Sequence, residues 1–319
     1  MKRWLLVLIL CAPLLSFAKP NNGAEALKAL DSFLAGTMSL NNAINRVQFL
    51  GEEFRISSEL VLASRRSNGR QFEQILEFLA ALGVRNEEVE RVFLNALKSS
   101  ENGEVMLGAR GLGRIKSDKA VPALIELLSN PVLGPRREAA KALGEIGKPA
   151  AAAPLLKAAK TEKDFDVRLM MIVSAGKSGD KKQIPAFEAL LNDDSESTRL
   201  AAGQALCAVG APKCTQFANK LIASKDKNER FQGVMVFEGS NAKFSTATLK
   251  PLLADPDDKL RARACRILVQ GGDKTGLEWL VLESTKAKGE ARLIYEDELE
   301  KLRITDEQRQ AILKKAGLQ

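Results

Sequence analysis

From residue 104 onward the apolar positions of the chain fall at intervals of three and four, the spacing of one face of an α-helix, and the same face returns about every 31 residues. The segment Arg136–Gly147 serves as a template. Its first arginine recurs at Arg168, Arg199, Arg230, Arg261 and Arg292, in steps of 32, 31, 31, 31 and 31 residues. Three, four and seven residues beyond each arginine stand mostly small apolar side chains, such as Ala139, Ala140 and Leu143 or Ala264, Cys265 and Leu268. Eleven residues beyond it stand Gly147, Gly179, Gly210, Asn241 and Gly272, residue types that tolerate the left-handed backbone closing a helix. A second apolar stripe follows each first one, as in Phe187/Leu190/Leu191 and Leu249/Leu252/Leu253.

Each repeat therefore reads as a helical hairpin. Pro122, Pro154 and Pro185 stand at the start of the second helix, where a missing N–H costs nothing. The small residues of the first stripe let neighbouring helices approach closely. The fold class predicted is all-α, a right-handed α-solenoid of hairpins, with the repeat array and a C-terminal capping repeat occupying residues 104–319. Thr305 and Gln308 form a capping box for a last helix there. Residues 19–103 keep helical patterning but lose the 31-residue signature, and read as divergent N-terminal hairpins or a cap.

The run Leu-Leu-x-Asp before an arginine, as at Leu191–Asp193 before Arg199 and Leu253–Asp255 before Arg261, resembles the short bacterial HEAT repeats called phycobilisome-lyase-like. So does the Ala-rich helix ending in Leu-Gly-x-Ile-Gly. The resemblance covers about two thirds of the chain. It implies the fold, and it is shared by scaffolds, bilin lyases and hydroxylases.

Residues 1–18 alter this picture by adding a compartment. Lys2 and Arg3 precede an apolar run from Trp4 to Leu15 and a Ser16-Phe17-Ala18 ending, the pattern of a secretory signal peptide cleaved near Ala18/Lys19. The run falls short of the roughly 20 apolar residues that a membrane span needs. Cys11 is a poor lipid-attachment site, because bulky Leu10 precedes it and the apolar run continues past it. The expected location is periplasmic or secreted.

The mature chain carries 46 basic against 40 acidic side chains once Lys2 and Arg3 are removed from the 48, a net charge of +6. The two signs are interspersed, as on a solvated helical surface, so no nucleic-acid partner is implied. There is no histidine. This removes His-based triads and His metal ligands, and with them the paired His-Glu motifs that the hydroxylases of the resembling family use.

No catalytic residue, metal ligand or cofactor site is nominated. The repeat arginines are read as structural, each pairing with an aspartate of its own or a neighbouring repeat. Phe217 and Trp279, one residue off the buried stripe, are the candidate aromatic anchors for a protein partner, with packing between repeats as the alternative. Cys207 and Cys214 flank one hairpin turn, and a disulfide can close it if their Cα atoms lie within about 7 Å. Acidic turns such as Asp255–Asp258 read as helix caps, since the alternating ligands of a calcium loop are missing. The functional expectation is an exported, non-catalytic HEAT-repeat scaffold that binds a protein partner. The alternatives are an enzyme of the lyase or hydroxylase kind and a structural subunit of an envelope complex.

Overall fold

The computed structural model describes residues 22–238 and 246–318, so the signal-peptide segment and Asn241 lie outside the described residues. Every regular element among the described residues is helical. By their contacts they divide into two units between Ala123 and Leu124.

The first unit contains α1 (Asn22–Leu34), α2 (Leu40–Leu50), α3 (Glu53–Ser64), α4 (Gly69–Leu82), α5 (Glu87–Ala96) and α6 (Asn102–Arg114). Its helices pack on their next-but-one neighbours, α1 on α3 on α5 and α2 on α4 on α6, as well as in sequence-adjacent pairs. The core is lined by Phe33, Phe78, Leu79 and Phe93, with the Phe33 and Phe78 rings 5.2 Å apart. Gly51 and Gly83 end α2 and α4 in the left-handed conformation. Helix α7 (Val121–Leu127) carries the division between the units.

The second unit continues with α8 (Leu133–Ile146), α9 (Ala152–Thr161), α10 (Phe165–Lys177), α11 (Ile184–Leu190), α12 (Glu196–Ala208), α13 (Lys213–Ile222) and α14 (Lys227–Met235). After them come α15 (Thr246–Leu249), α16 (Asp258–Gln270), α17 (Lys274–Lys286), α18 (Gly289–Leu302) and α19 (Asp306–Lys315). The arginine-bearing helices stack in one row, α8 on α10 on α12 on α14 on α16 on α18. The predicted stripe is buried along this row, and a close approach lies just beside it. A Cβ on Gly176 would sit 2.4 Å from the Ala205 Cα, so α10 and α12 touch backbone to side chain without room for a methyl group.

The ends of the helices follow their sequence signals. Asp164, Ser195, Asp226 and Asp257 cap α10, α12, α14 and α16 by accepting N–H groups of the first turn. The acidic turns thus serve as caps. Gly147, Gly179, Gly210 and Gly272 all have φ between +72° and +86°, as their place after a helix requires. Short 3₁₀ turns at residues 118–120, 149–151 and 181–183 lead into α7, α9 and α11, each of which carries its proline in the first turn. The Thr305–Gln308 capping box is formed in both directions at α19. Glu296, standing where earlier repeats carry a small apolar residue, forms a bidentate pair with Arg309 of that last helix, so α19 covers the end of the row with polar contacts.

Candidate functional site

The repeated arginines obey one geometric rule, centred on the residue six positions before each of them in the linker between hairpins. The backbone carbonyl there accepts from the arginine of its own repeat. Where its side chain is acidic, it can also accept from the arginine one repeat earlier. Arg136 Nη1 donates to Asn130 O and Pro131 O at 2.9 and 3.1 Å, while its Nε and Nη2 donate to the two oxygens of Glu162 at 2.7 and 2.9 Å. Arg230 repeats the arrangement with Ser224 O and Lys225 O on one side and Asp255 on the other, its Nε reaching Asp255 Oδ2 at 2.8 Å. One guanidinium thus joins the linker entering its hairpin to the linker leaving it, in the bidentate form that suits a planar fork. The fork holds the Glu162 carboxyl below the usual carboxylate range, and that carboxylate raises the Arg136 guanidinium in turn.

The other arginines vary from the rule for identifiable reasons. Arg199 keeps the carbonyl half, donating to Asp193 O and Asp194 O at 2.8 and 2.9 Å, while the position where a carboxylate would receive it is Ser224. Arg261 keeps its bond to Asp255 O, but the next linker offers Lys286, a cation. The arginine turns instead to Tyr295, whose hydroxyl accepts from Arg261 Nη2 at 2.9 Å and donates to Asp258 Oδ1 at 2.6 Å. Burial and the bond to Asp258 push the Tyr295 phenol up to about 12. Arg292, in the terminal repeat, is exposed. The pairing partner is therefore a carboxylate one repeat later, a carbonyl six residues earlier or, at Arg261, the Tyr295 hydroxyl and the Asp258 carboxylate. The side chain of the aspartate six residues earlier does not reach its own arginine.

Arg168 departs furthest. Its guanidinium lies over the Phe165 ring at 5.1 Å from the centroid, and its buried Nε has no hydrogen-bond partner. Asp193, the acid placed to receive it, accepts the backbone N–H of Ser195 at 2.9 Å. Arg168 lines a cleft of about 590 Å³ bounded by α9, α10, α11 and the start of α12. The walls are apolar, with Leu156 from α9, Ile172 from α10 and Leu190 from α11, and the rim carries Lys157 and Lys160. Thr198, only 3% exposed, lines the same cleft, and its Oγ1 also lacks a hydrogen-bond partner. Two buried polar atoms without partners on residues that line one cleft is uncommon, since buried polar groups are nearly always paired.

The two aromatic candidates are half-buried. The Phe217 ring fills the space over Gly203, where an added Cβ would lie 2.7 Å from its Cδ1. Trp279 packs edge-on against Tyr295 at 5.8 Å with an interplanar angle of 87°. Cys207 and Cys214 form a disulfide with Cα atoms 5.0 Å apart, across the turn between α12 and α13. Cys265 is a buried free thiol, and burial pushes its ionisation up. One cluster escaped the sequence reading. Arg266, 7% exposed, donates to Glu298 at 2.5 Å and to Glu238 at 2.7 Å, with Arg263 joining Glu238 at 2.9 Å. The signal that could have found it is a long cation one position past the small-residue stripe of α16, a place that can be tolerated only if paired.

Among the described residues no helix is long and apolar enough to cross a membrane. Residues 89–174 and 152–236 match the model for HEAT repeats. A phycocyanobilin lyase subunit alpha from Picosynechococcus sp. is 33% identical over 112 residues, which is 32% of this chain and 41% of that protein. The chain thus spans about two fifths of the length of the curated relative it matches. The structure of the complex of CpcE and CpcF of phycocyanin lyase from Nostoc sp. aligns with a TM-score of 0.50 at 17% identity, over 77% of this chain and 94% of that one. At that identity it shows a shared helical-repeat fold.

These likenesses correct the expectation of a non-catalytic chain. The absence of histidine removes His-based triads and the paired His-Glu motifs of hydroxylases but does not bear on a lyase, and the similarity to a lyase subunit stands against a non-catalytic reading. Residues 89–236 of the chain carry HEAT repeats, part of the chain is similar in sequence to a phycocyanobilin lyase subunit, and the fold is a helical-repeat architecture that supports protein interaction.

Proposed function

We propose that this chain is an exported HEAT-repeat subunit with an enzyme-like role of the lyase kind, exercised jointly with a protein partner held at the cleft between α9 and α11. The observation that carries the reading is the cleft itself. It is the place where Arg168 Nε and Thr198 Oγ1 are left without hydrogen-bond partners beside apolar walls. A concave surface with a few convergent polar groups is the default form of a binding site.

The relatives support a shared role. One is a lyase subunit, and the solved structure of similar fold is a complex of two chains, so an activity divided between partners is the natural form for this one. Two features favour export. Residues 1–18 have the charge, apolar run and small-residue ending of a cleaved signal. The Cys207–Cys214 disulfide belongs to an oxidising compartment.

The experiment is reconstitution. The mature chain is crosslinked in the periplasmic or secreted fraction, the captured protein is identified by mass spectrometry, and the purified pair is followed by intact mass. A stoichiometric partner that gains or loses a defined small-molecule mass only when both chains are present supports the reading. A captured partner whose mass never changes would remove the enzymatic part, and the absence of any partner would remove the whole.

A further inference from the structure

We infer that the Arg168 cleft is a socket for an acidic side chain, filled by a glutamate or aspartate flanked by apolar residues on the protein partner. The inference rests on the partner-binding reading above and names the chemistry by which that partner is recognised.

The chain supplies its own templates for the interaction. Arg136 and Arg230 occupy the same place in their hairpins as Arg168, and each is closed by a carboxylate from the following linker, Glu162 and Asp255. At Arg168 the corresponding acid, Asp193, accepts the Ser195 N–H just as Glu162 and Asp255 accept from Asp164 and Asp257, yet the arginine Nε has no hydrogen-bond partner. The fork that two other repeats complete internally is incomplete at Arg168, and a cleft adjoins it there. Asp193 supplies the residue type that an internal lock needs, and what sets Arg168 apart is its guanidinium, which lies over the Phe165 ring.

The charge and shape fit an acidic peptide. Lys157, Lys160 and Arg168 against Asp193 leave three positive charges to one negative, a local excess of +2. A guanidinium in a partly apolar setting prefers a carboxylate in a bidentate contact. Thr198, on the same wall, also has a buried Oγ1 without a hydrogen-bond partner. Leu156, Ile172 and Leu190 would cover aliphatic side chains on either side of the acid. A volume of about 590 Å³ accommodates three residues of a peptide and exceeds what a small inorganic anion would need.

The test uses the full mature chain with arginine Nε labelled by ¹⁵N, titrated with three probes: acetyl-Leu-Glu-Leu-amide, acetyl-Leu-Gln-Leu-amide and acetate. The expected result is a saturable shift of the Arg168 Nε–H signal with the glutamate peptide. Its affinity should exceed that of the glutamine peptide by at least tenfold, with acetate weaker again. Arg168→Gln should abolish saturation, Arg168→Lys should retain a weakened site because it keeps charge without the fork, and exposed Arg292→Gln should leave it unchanged. Equal binding of the two peptides would overturn the proposal in favour of a merely apolar groove. Acetate as effective as the peptide would overturn it in favour of a small-anion site, and no shift at Arg168 would remove the site altogether.

Crosslinking of wild type and Arg168→Gln in the periplasmic fraction separates this inference from the reading beneath it. A partner captured by both leaves the functional reading standing while the socket falls. A partner captured by wild type alone supports both. No partner with either removes the functional reading, and the peptide titration then decides the socket.

Discussion

Arg136 and Glu162, 26 residues apart, hold each other through two hydrogen bonds of 2.7 and 2.9 Å while the same guanidinium grips the carbonyl of Asn130. One side chain thereby fixes both ends of a hairpin. The pair is largely shielded from solvent, so it should contribute more than an exposed surface ion pair. Glu162→Gln or Arg136→Ala is expected to lower stability by about 1–3 kcal/mol, because each leaves a charged partner without its bond. Arg168→Gln, which breaks no such pair, should change it by no more than about 0.5 kcal/mol. Urea unfolding of the three variants checks the order.

The same pairing sets an acid limit. Arginine forks hold the carboxyls of Glu162 and Glu296 below their ordinary value of 4.5. A carboxyl whose folded-state ionisation is depressed stabilises the fold at pH above the unfolded value, and the contribution is lost as the pH falls below 4.5 through the folded-state value. Denaturant midpoints should therefore be flat from neutral pH to about 5 and fall below it. The fall should be smaller in the Glu162→Gln variant, and an equal fall in both proteins would contradict the assignment.

Close packing in the row of first helices gives a steric prediction. A Cβ on Gly176 would sit 2.4 Å from backbone of α12, so Gly176→Ala must push α10 and α12 apart. A loss of about 1–3 kcal/mol is expected, the range for overpacking a tight interior. At Gly272, φ is +86° and nothing lies within 4 Å of the added methyl, so Gly272→Ala should cost about 1–2 kcal/mol, from backbone strain alone. Crystal structures of the two variants would separate the mechanisms, showing displaced helices in the first and an unmoved neighbourhood in the second.

The Cys207–Cys214 disulfide closes a loop with a sequence separation of 7. Loop-closure entropy for so short a ring gives about 2 kcal/mol of stabilisation. Replacing both cysteines by alanine should lower the unfolding free energy by that amount, as should treatment with a reductant. The buried thiol of Cys265 should stay unreactive toward alkylating agents until the chain unfolds.

Much of the fold is legible in the sequence because each repeat states its own boundaries. The aspartate and serine caps, the glycines beyond the helices and the prolines inside the second helices all act locally, and all are found in those roles. The arginine positions are equally legible, but their bonding is not. Whether a guanidinium meets Glu162, a carbonyl, or the hydroxyl of Tyr295 depends on the linker one repeat away, a distance at which sequence spacing says nothing about side-chain direction. The Arg168 cleft was invisible for the same reason. It is defined by a pairing that fails, and Asp193 stands in the sequence where the pairing should succeed. The offset of Phe217 and Trp279 suits a partner anchor and inter-repeat packing equally, and both are half-buried, packed over Gly203 and beside Tyr295.

The central claim is that the chain works as a subunit with a protein partner. Native mass spectrometry of the mature chain, isolated gently from the periplasmic or secreted fraction, tests it most directly. The account predicts a species heavier than the free chain by the mass of one defined protein, present in constant ratio and dissociated by raised salt. A spectrum containing the free chain alone, or the chain with assorted proteins in no fixed ratio, would contradict it.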